Sequence, residues 1–404
     1  MSHPGTLILI MAIAVVAPLL TYAVGRRLTV PVAIFEIGLG ILIGPAVLGL
    51  AHPDELINTL SNLGLSMLIF LAGYEIEFAA VRGDTLRRAV GAWALSLAVA
   101  LGIAFALTGA QATKSFVIGT ALTSTALGAV LPMLRDSGVL HSRFGTVVMA
   151  SGAVGEFGPI IAMALLLSGR APGAATAVLA GFAAVTAGAV CWALRPRPPG
   201  FARIVATTLH TSGQFAVRLV MLLLAAMLGL SVAFGLDTLL GAFAAGLLTR
   251  LVLNGAAPES SAEVLGKIEA MGFGFLVPVF FIVTGINFDL DALLGGGRAL
   301  LLLPVFLLLF LLVRGAPAWL LAPPRDLSRR ERTSLTLYSA TCLPLVVAIT
   351  TIGVDDGVLE KGEAAALVGA AMVSILAFPL LALRSLPAHR PHPPDALAET
   401  SESW

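Results

Sequence analysis

The chain reads as an all-α polytopic membrane protein with thirteen transmembrane helices, a number that divides into two six-helix repeats, the second inverted. Three observations predict this. First, its 404 residues are 58% hydrophobic and 12% charged, with a mean hydropathy of +0.98, whereas a soluble domain is roughly half apolar and a quarter charged. Second, apolar stretches long enough to cross a bilayer, about 20 residues each, recur along almost the whole chain. Third, Lys and Arg alternate between rich and poor loops in phase with those stretches. A soluble enzyme or nucleic-acid-binding protein is excluded by the first observation, and the net charge of +1 offers no basic surface to nucleic acid.

The runs lie at about 6–25, 31–50, 57–79, 88–110, 113–136, 143–169, 172–194, 208–234, 236–253, 264–287, 298–322, 333–353 and 363–384. No Lys or Arg precedes the first, and Arg26-Arg27 follow it, so it reads as a span and not a cleaved signal. The N-terminus is then outside and the C-terminus cytoplasmic, in the cell (inner) membrane. With that phase, eighteen of the 24 Lys and Arg residues fall in cytoplasmic loops and the tail. The outer loops hold only Lys114, Arg170, Arg298 and Lys361, and Arg218 and Arg314 lie inside spans. The stretch 172–194 separates two sets of six, so the second set is inverted relative to the first. Sequence echoes support the repeat. LIFLAGYEIEF (68–78) in span 3 resembles VFFIVTGINFDL (279–290) in span 10, and spans 2 and 9 are Gly-rich (Gly38, Gly40 and Gly44; Gly241 and Gly246). The tail 387–404 is expected to be short, cytoplasmic and disordered. Cys191 and Cys342 sit in apolar runs and imply no disulfide framework.

Ionisable groups in lipid are expensive and need a partner, a cavity or a function. Glu156 stands in ASGAVGEFGPII (150–161), about thirteen residues into span 6 and so near mid-depth. Gly152, Gly155 and Gly158 clear space around it, and Pro159 frees a carbonyl one turn earlier. A carboxylate there suits a site that alternates between a proton and a cation; a permanently paired or protonated glutamate is the alternative. Span 5 carries Thr123-Ser124-Thr125. Three adjacent hydroxyls cannot share one helix face, so the helix is expected to unwind and offer hydroxyls and carbonyls to a cation; the alternative is bonding back to their own helix. Span 12 has a matching break at Ser339, Thr341 and Pro344. Spans 5 and 12 are each the fifth of their repeat, and interrupted spans in matching positions point to a transport site. Arg314, two-thirds through span 11, either neutralises the ends of the broken helices, pairs with Glu156, or snorkels to the interface. Glu77 reads as interfacial, Glu75 as a packing group or the partner of a nearby Arg, Glu36 as a packing group, and Arg218 and His210 as interfacial. No P-loop, His/Cys metal spacing or nucleophile–base motif occurs, so no enzyme activity, cofactor or metal beyond a monovalent cation is expected.

At this point the residues resemble a family. FEIGLGILIGPAVLG (35–49), LGLSMLIFLAGYEIE (63–77), ALTSTALGAVL (121–131), the Glu156 segment, LGAFAAGLL (240–248) and VPVFFIVTGINFDL (277–290) are similar, in order, to the second group of monovalent cation:proton antiporters, the Kef-type and NapA-type exchangers. The resemblance covers about residues 6–385. It implies two inverted six-helix repeats with two crossing discontinuous helices, spans 5 and 12, and a mobile core of spans 4–6 and 11–13 (about 88–169 and 298–384). It also implies a dimerisation scaffold of spans 1–3 and 8–10 (about 6–79 and 208–287), giving a homodimer. Glu156 falls where the family carries its ion-binding aspartate, Arg314 where relatives carry a basic residue, often lysine, and Thr123–Thr125 on the unwound stretch. Relatives have Asp-Asp, Asn-Asp or Gln-Asp where this chain has Gly155-Glu156. Kef-type relatives add a cytoplasmic nucleotide-binding regulatory domain, which is not expected here. The expected function is Na⁺ or K⁺/proton antiport by elevator-like alternating access, electroneutral because one carboxylate holds one charge at a time. The competing readings are a proton-coupled exporter of an organic or ionophore-like molecule, and a channel or transport-dead relative.

Overall fold

A computed structural model describes residues 3–25, 30–75, 83–140, 142–166, 172–193, most of 204–256, 258–295, 297–321 and 327–386. Glu77, His210, the tail 387–404 and many loop arginines (Arg26, Arg27, Arg82, Arg195, Arg197, Arg203, Arg325, Arg390) lie outside these residues. Every regular element among the described residues is helical. Eleven helical segments are long and apolar enough to cross a membrane, which makes this a multi-pass membrane protein. Two further apolar helices, Val32–Ile43 and Ala177–Cys191, are shorter and fall on the second and seventh expected spans.

In chain order the helices are α1 (His3–Gly25), α2 (Val32–Ile43), α3 (Glu55–Glu75), α4 (Asp84–Leu107), α5 (Ala112–Leu122), α6 (Leu127–Asp136), α7 (Arg143–Leu166), α8 (Pro172–Ala193), α9 (Phe215–Ala233) and α10 (Thr238–Ala256). There follow α11 (Pro258–Met271), α12 (Val277–Ile286), α13 (Leu290–Gly295), α14 (Gly297–Leu309), α15 (Ala316–Leu321), α16 (Arg329–Ser339), α17 (Pro344–Asp355) and α18 (Lys361–Ser385). Two expected spans are interrupted where the hydroxyl and proline patterns place the breaks. α5 and α6 are separated at 123–126, and α16 and α17 at 340–343, with Pro344 opening α17. Two other long helices widen into π-helical turns, Gly272–Leu276 between α11 and α12 and Phe310–Gly315 between α14 and α15. Such turns often mark functional positions, and the second carries Arg314.

Helix α2 packs on α1 and α12, and α3 on α10 and α12. These contacts are backbone to backbone. A side chain at Gly40 would strike the Ile282 carbonyl, and one at Gly285 the Ile37 carbonyl. Interhelical approach this close requires small residues, the device membrane helices use where hydrophobicity cannot drive association. The Gly-rich stretches noted in spans 2 and 9 serve this purpose: Gly44 faces Ile286, and Gly246 lies on the Phe70 carbonyl of α3. A second set packs around the breaks: α4 on α5, α7 and α15; α16 on α7 and α18; α17 on α5 and α18. Contacts between the two sets include α3 with α6, α7 with α10 and α2 with α18.

A cavity of about 700 Å³ opens between α3, α10 and α12 on one side and α17 on the other. Asn58, Asn62, Asn287 and Asp355 are among its polar lining residues. It reaches Val347, one turn into α17 from the break.

Candidate functional site

The two breaks meet each other. An interrupted helix leaves backbone donors and acceptors without intrahelical partners, and within a membrane these must be satisfied internally. Here each break satisfies the other. The Ala126 amide donates to the Thr341 carbonyl (2.8 Å), and the Thr125 hydroxyl donates to the Ser339 carbonyl (2.7 Å). Ser374 of α18 closes the second break, accepting from the Cys342 amide (3.1 Å) and donating to the Cys342 carbonyl (3.0 Å).

α7 joins this crossing through its proline. Pro159 has no N–H, so the Gly155 carbonyl loses its helical partner. The Thr125 amide takes that place, donating to it at 3.0 Å. The residue after Gly155 is Glu156, 3% exposed. The Leu127 amide, in the first turn of α6, donates to the Glu156 carboxyl, and a helix N-terminus favours negative charge. Its second oxygen, Oε2, is buried with no hydrogen-bond partner. Ser151, one turn before Gly155, shares a hydroxyl–hydroxyl bond of 3.0 Å with Ser339.

Arg314 is wholly buried in the same cluster. Its Nε donates to Thr125 Oγ1 (3.0 Å), and its Nη2 donates to the Ser151 carbonyl (2.6 Å) and hydroxyl (3.2 Å). Nη1 has no partner. Of the three placements open to Arg314 from sequence, snorkelling is excluded by this burial. Pairing with Glu156 is not observed among the described residues. What the guanidinium holds is one hydroxyl of the first break and one turn of α7.

The structure brings Thr125, Gly155, Glu156, Arg314 and Ser339 together. Thr123 and Ser124 are in the break, but their hydroxyls donate back to the Thr120 and Ala121 carbonyls (2.9 and 2.8 Å), the local alternative that short polar side chains always have. Thr341 does the same toward Leu337 (2.9 Å) and contributes to the crossing through its carbonyl. Pro344 acts by opening α17. Glu75, at the end of α3, is near enough for its charge to act on Glu156, a proximity that no sequence spacing reveals. Beside Glu156, the Phe157 ring lies against that of Phe243 of α10, tilted by 35° with centroids 3.6 Å apart, so the site lies against the neighbouring helix set. Glu36 is buried on α2 and is not among these contacts.

Two broken helices crossing beside a buried carboxylate define a secondary ion transporter. The chain belongs to the sodium/hydrogen exchanger transmembrane family, whose profile matches residues 11–383, a family of transporters and not of enzymes. It is 27% identical to the putative Na⁺/H⁺ antiporter YjbQ of Bacillus subtilis, over 94% of this chain and 63% of that one. It is 20% identical to a Na⁺/H⁺ antiporter of Enterococcus hirae, over 92% and 96% of the two chains. The chain thus spans somewhat less than two thirds of the Bacillus subtilis relative's length. The sodium proton antiporter MjNhaP1 of Methanocaldococcus jannaschii has the same fold, with a TM-score of 0.65 over 93% of this chain and 94% of that one, at 16% identity.

Proposed function

We propose that this protein exchanges a monovalent cation, Na⁺ or K⁺, for a proton across the cell membrane, with Glu156 binding the two in turn. The observation that carries the reading is the Glu156 carboxyl itself. It is buried beside the crossing, faces the amide end of α6, and keeps one oxygen without a hydrogen-bond partner. A buried acceptor left open is costly unless something fills it, and a proton or a dehydrated cation does so. The names of the two antiporter relatives support Na⁺ and H⁺ as the ions.

Stoichiometry follows from charge. Glu156 holds one proton or one monovalent cation, and Arg314 keeps its proton, so exchange is one for one and electroneutral. Movement follows from packing. The set holding both breaks, Glu156 and Arg314 is the mobile core; α1–α3 with α9–α12 is the scaffold, which also provides the homodimer surface. Two inverted repeats on either side of α8 generate the alternation. The cavity beside α17 supports access from the outer side, with the N-terminus outside.

The test is dye-reported proton flux in liposomes of purified protein on addition of Na⁺, K⁺, Li⁺ or Rb⁺, alongside Glu156→Gln. Cation-triggered flux that disappears in the variant is the expected result. No flux with any cation overturns the antiport reading, and flux that generates or follows a membrane potential overturns the one-for-one stoichiometry.

A further inference from the structure

Position 155 has no side chain because another residue occupies the space. A Cβ there would collide with Thr125 Oγ1, and would lie 2.6 Å from Arg314 Nη2 and 2.8 Å from Thr125 Cβ. Neither neighbour is free to step aside. The Thr125 hydroxyl is held by the Ser339 carbonyl and by Arg314 Nε. The guanidinium is held by Ser151 through Nη2 and is fully buried. Ser151 and Gly155 are one turn apart on the same face of α7, so the guanidinium lies along the very helix that presents Glu156. Its Nη1 remains buried without a partner, so nothing else near position 155 competes for that donor.

We propose that Gly155 is a positioning residue whose missing side chain is the seat of Arg314. The pair seats a buried guanidinium, carried on the π-helical turn at 310–315, in the space that a side chain of the residue before Glu156 would otherwise fill. A cation then meets one carboxylate and neutral oxygens, with the guanidinium opposing it. An acidic or amide side chain at 155 adds no ligand, because it unseats the arginine first. The transport consequence rests on Glu156 being the ion site; the steric pairing does not.

Two measurements test this, both on the full-length purified protein. The first compares melting temperatures in a cycle: wild type, Gly155→Ala, the Thr125→Ala/Arg314→Gln background, and all three changes together. In the background the two closest atoms, Thr125 Oγ1 and Arg314 Nη2, are gone, while Thr125 Cβ remains. The cost of Gly155→Ala is expected to fall to about half or less, the signature of coupled neighbours. An equal cost in both backgrounds, or no cost in wild type, overturns the pairing. If the double background does not fold, the single Thr125→Ala and Arg314→Gln backgrounds carry the same comparison. The second measurement is the apparent KM for the cation at alkaline pH. Arg314→Gln, which removes the opposing charge, is expected to lower it about threefold or more. An unchanged KM in Arg314→Gln overturns the charge assignment. Absence of flux in wild type would sink the antiport reading and leave the melting cycle to decide the pairing.

Discussion

Two regions of this molecule solve the problem of packing helices in lipid by opposite means. Around α2, α3, α10 and α12 the helices meet backbone to backbone, with Gly40 against Ile282 and Gly285 against Ile37. Around the crossing of α5–α6 with α16–α17 the helices are broken and held by hydrogen bonds: Ala126 to Thr341, Thr125 to Ser339, Arg314 to Thr125 and Ser151. Dispersion between close backbones is strong only at one separation, so the first region tolerates no added volume. The second region holds its breaks through a few specific partners, and Glu156 Oε2 and Arg314 Nη1 are among the buried polar atoms left open there, with Thr120 Oγ1 and Tyr338 OH.

The comparison is sharpest where the two regions respond to mutation in different currencies. Gly285→Leu is expected to have the largest effect on stability, about 3 kcal/mol or more, because the side chain must displace backbone of α2; a melting curve close to wild type would break the rigid-frame side of the comparison. Glu156→Gln is expected to leave the melting temperature near wild type while cation-dependent proton flux falls to the protein-free background. A variant that melted early and still transported would invert the assignment. Ser339→Ala removes the hydroxyl bond to Ser151 and should cost about 1 kcal/mol, with a reduced maximal rate; full-speed transport would show that the crossing does not depend on that bond. Glu75→Gln should have the smallest effect, a change of about twofold to threefold in apparent cation affinity through its charge on Glu156, read from flux against cation concentration. No change would leave Glu75 as a packing residue of α3.

How much of this was legible in the sequence depends on the range of the interaction. The helical breaks were, because three adjacent hydroxyls at 123–125 and a proline at 344 are local conflicts with a continuous helix. Glu156 was, because a lone carboxylate among glycines in an apolar run is too costly to sit in lipid without a task. The hydroxyl directions were not. Thr123 bonds within its own chain segment, Ser124 does so while also meeting Cys342 of the second break, and Thr125 reaches α16; a sequence offers these options equally.

By itself, then, the sequence determined the solvent of this protein, its helical class, the two interruptions and the carboxylate at their side. Each follows from transfer energies or backbone sterics acting over a few neighbouring residues. Only the tertiary structure decided what Arg314 touches, what fills the space beside residue 155, and that the Glu75 charge acts on Glu156. Those facts depend on distances between α3, α7, the 310–315 turn and the breaks. Such distances are set by how whole helices seat against one another, and no local pattern encodes them.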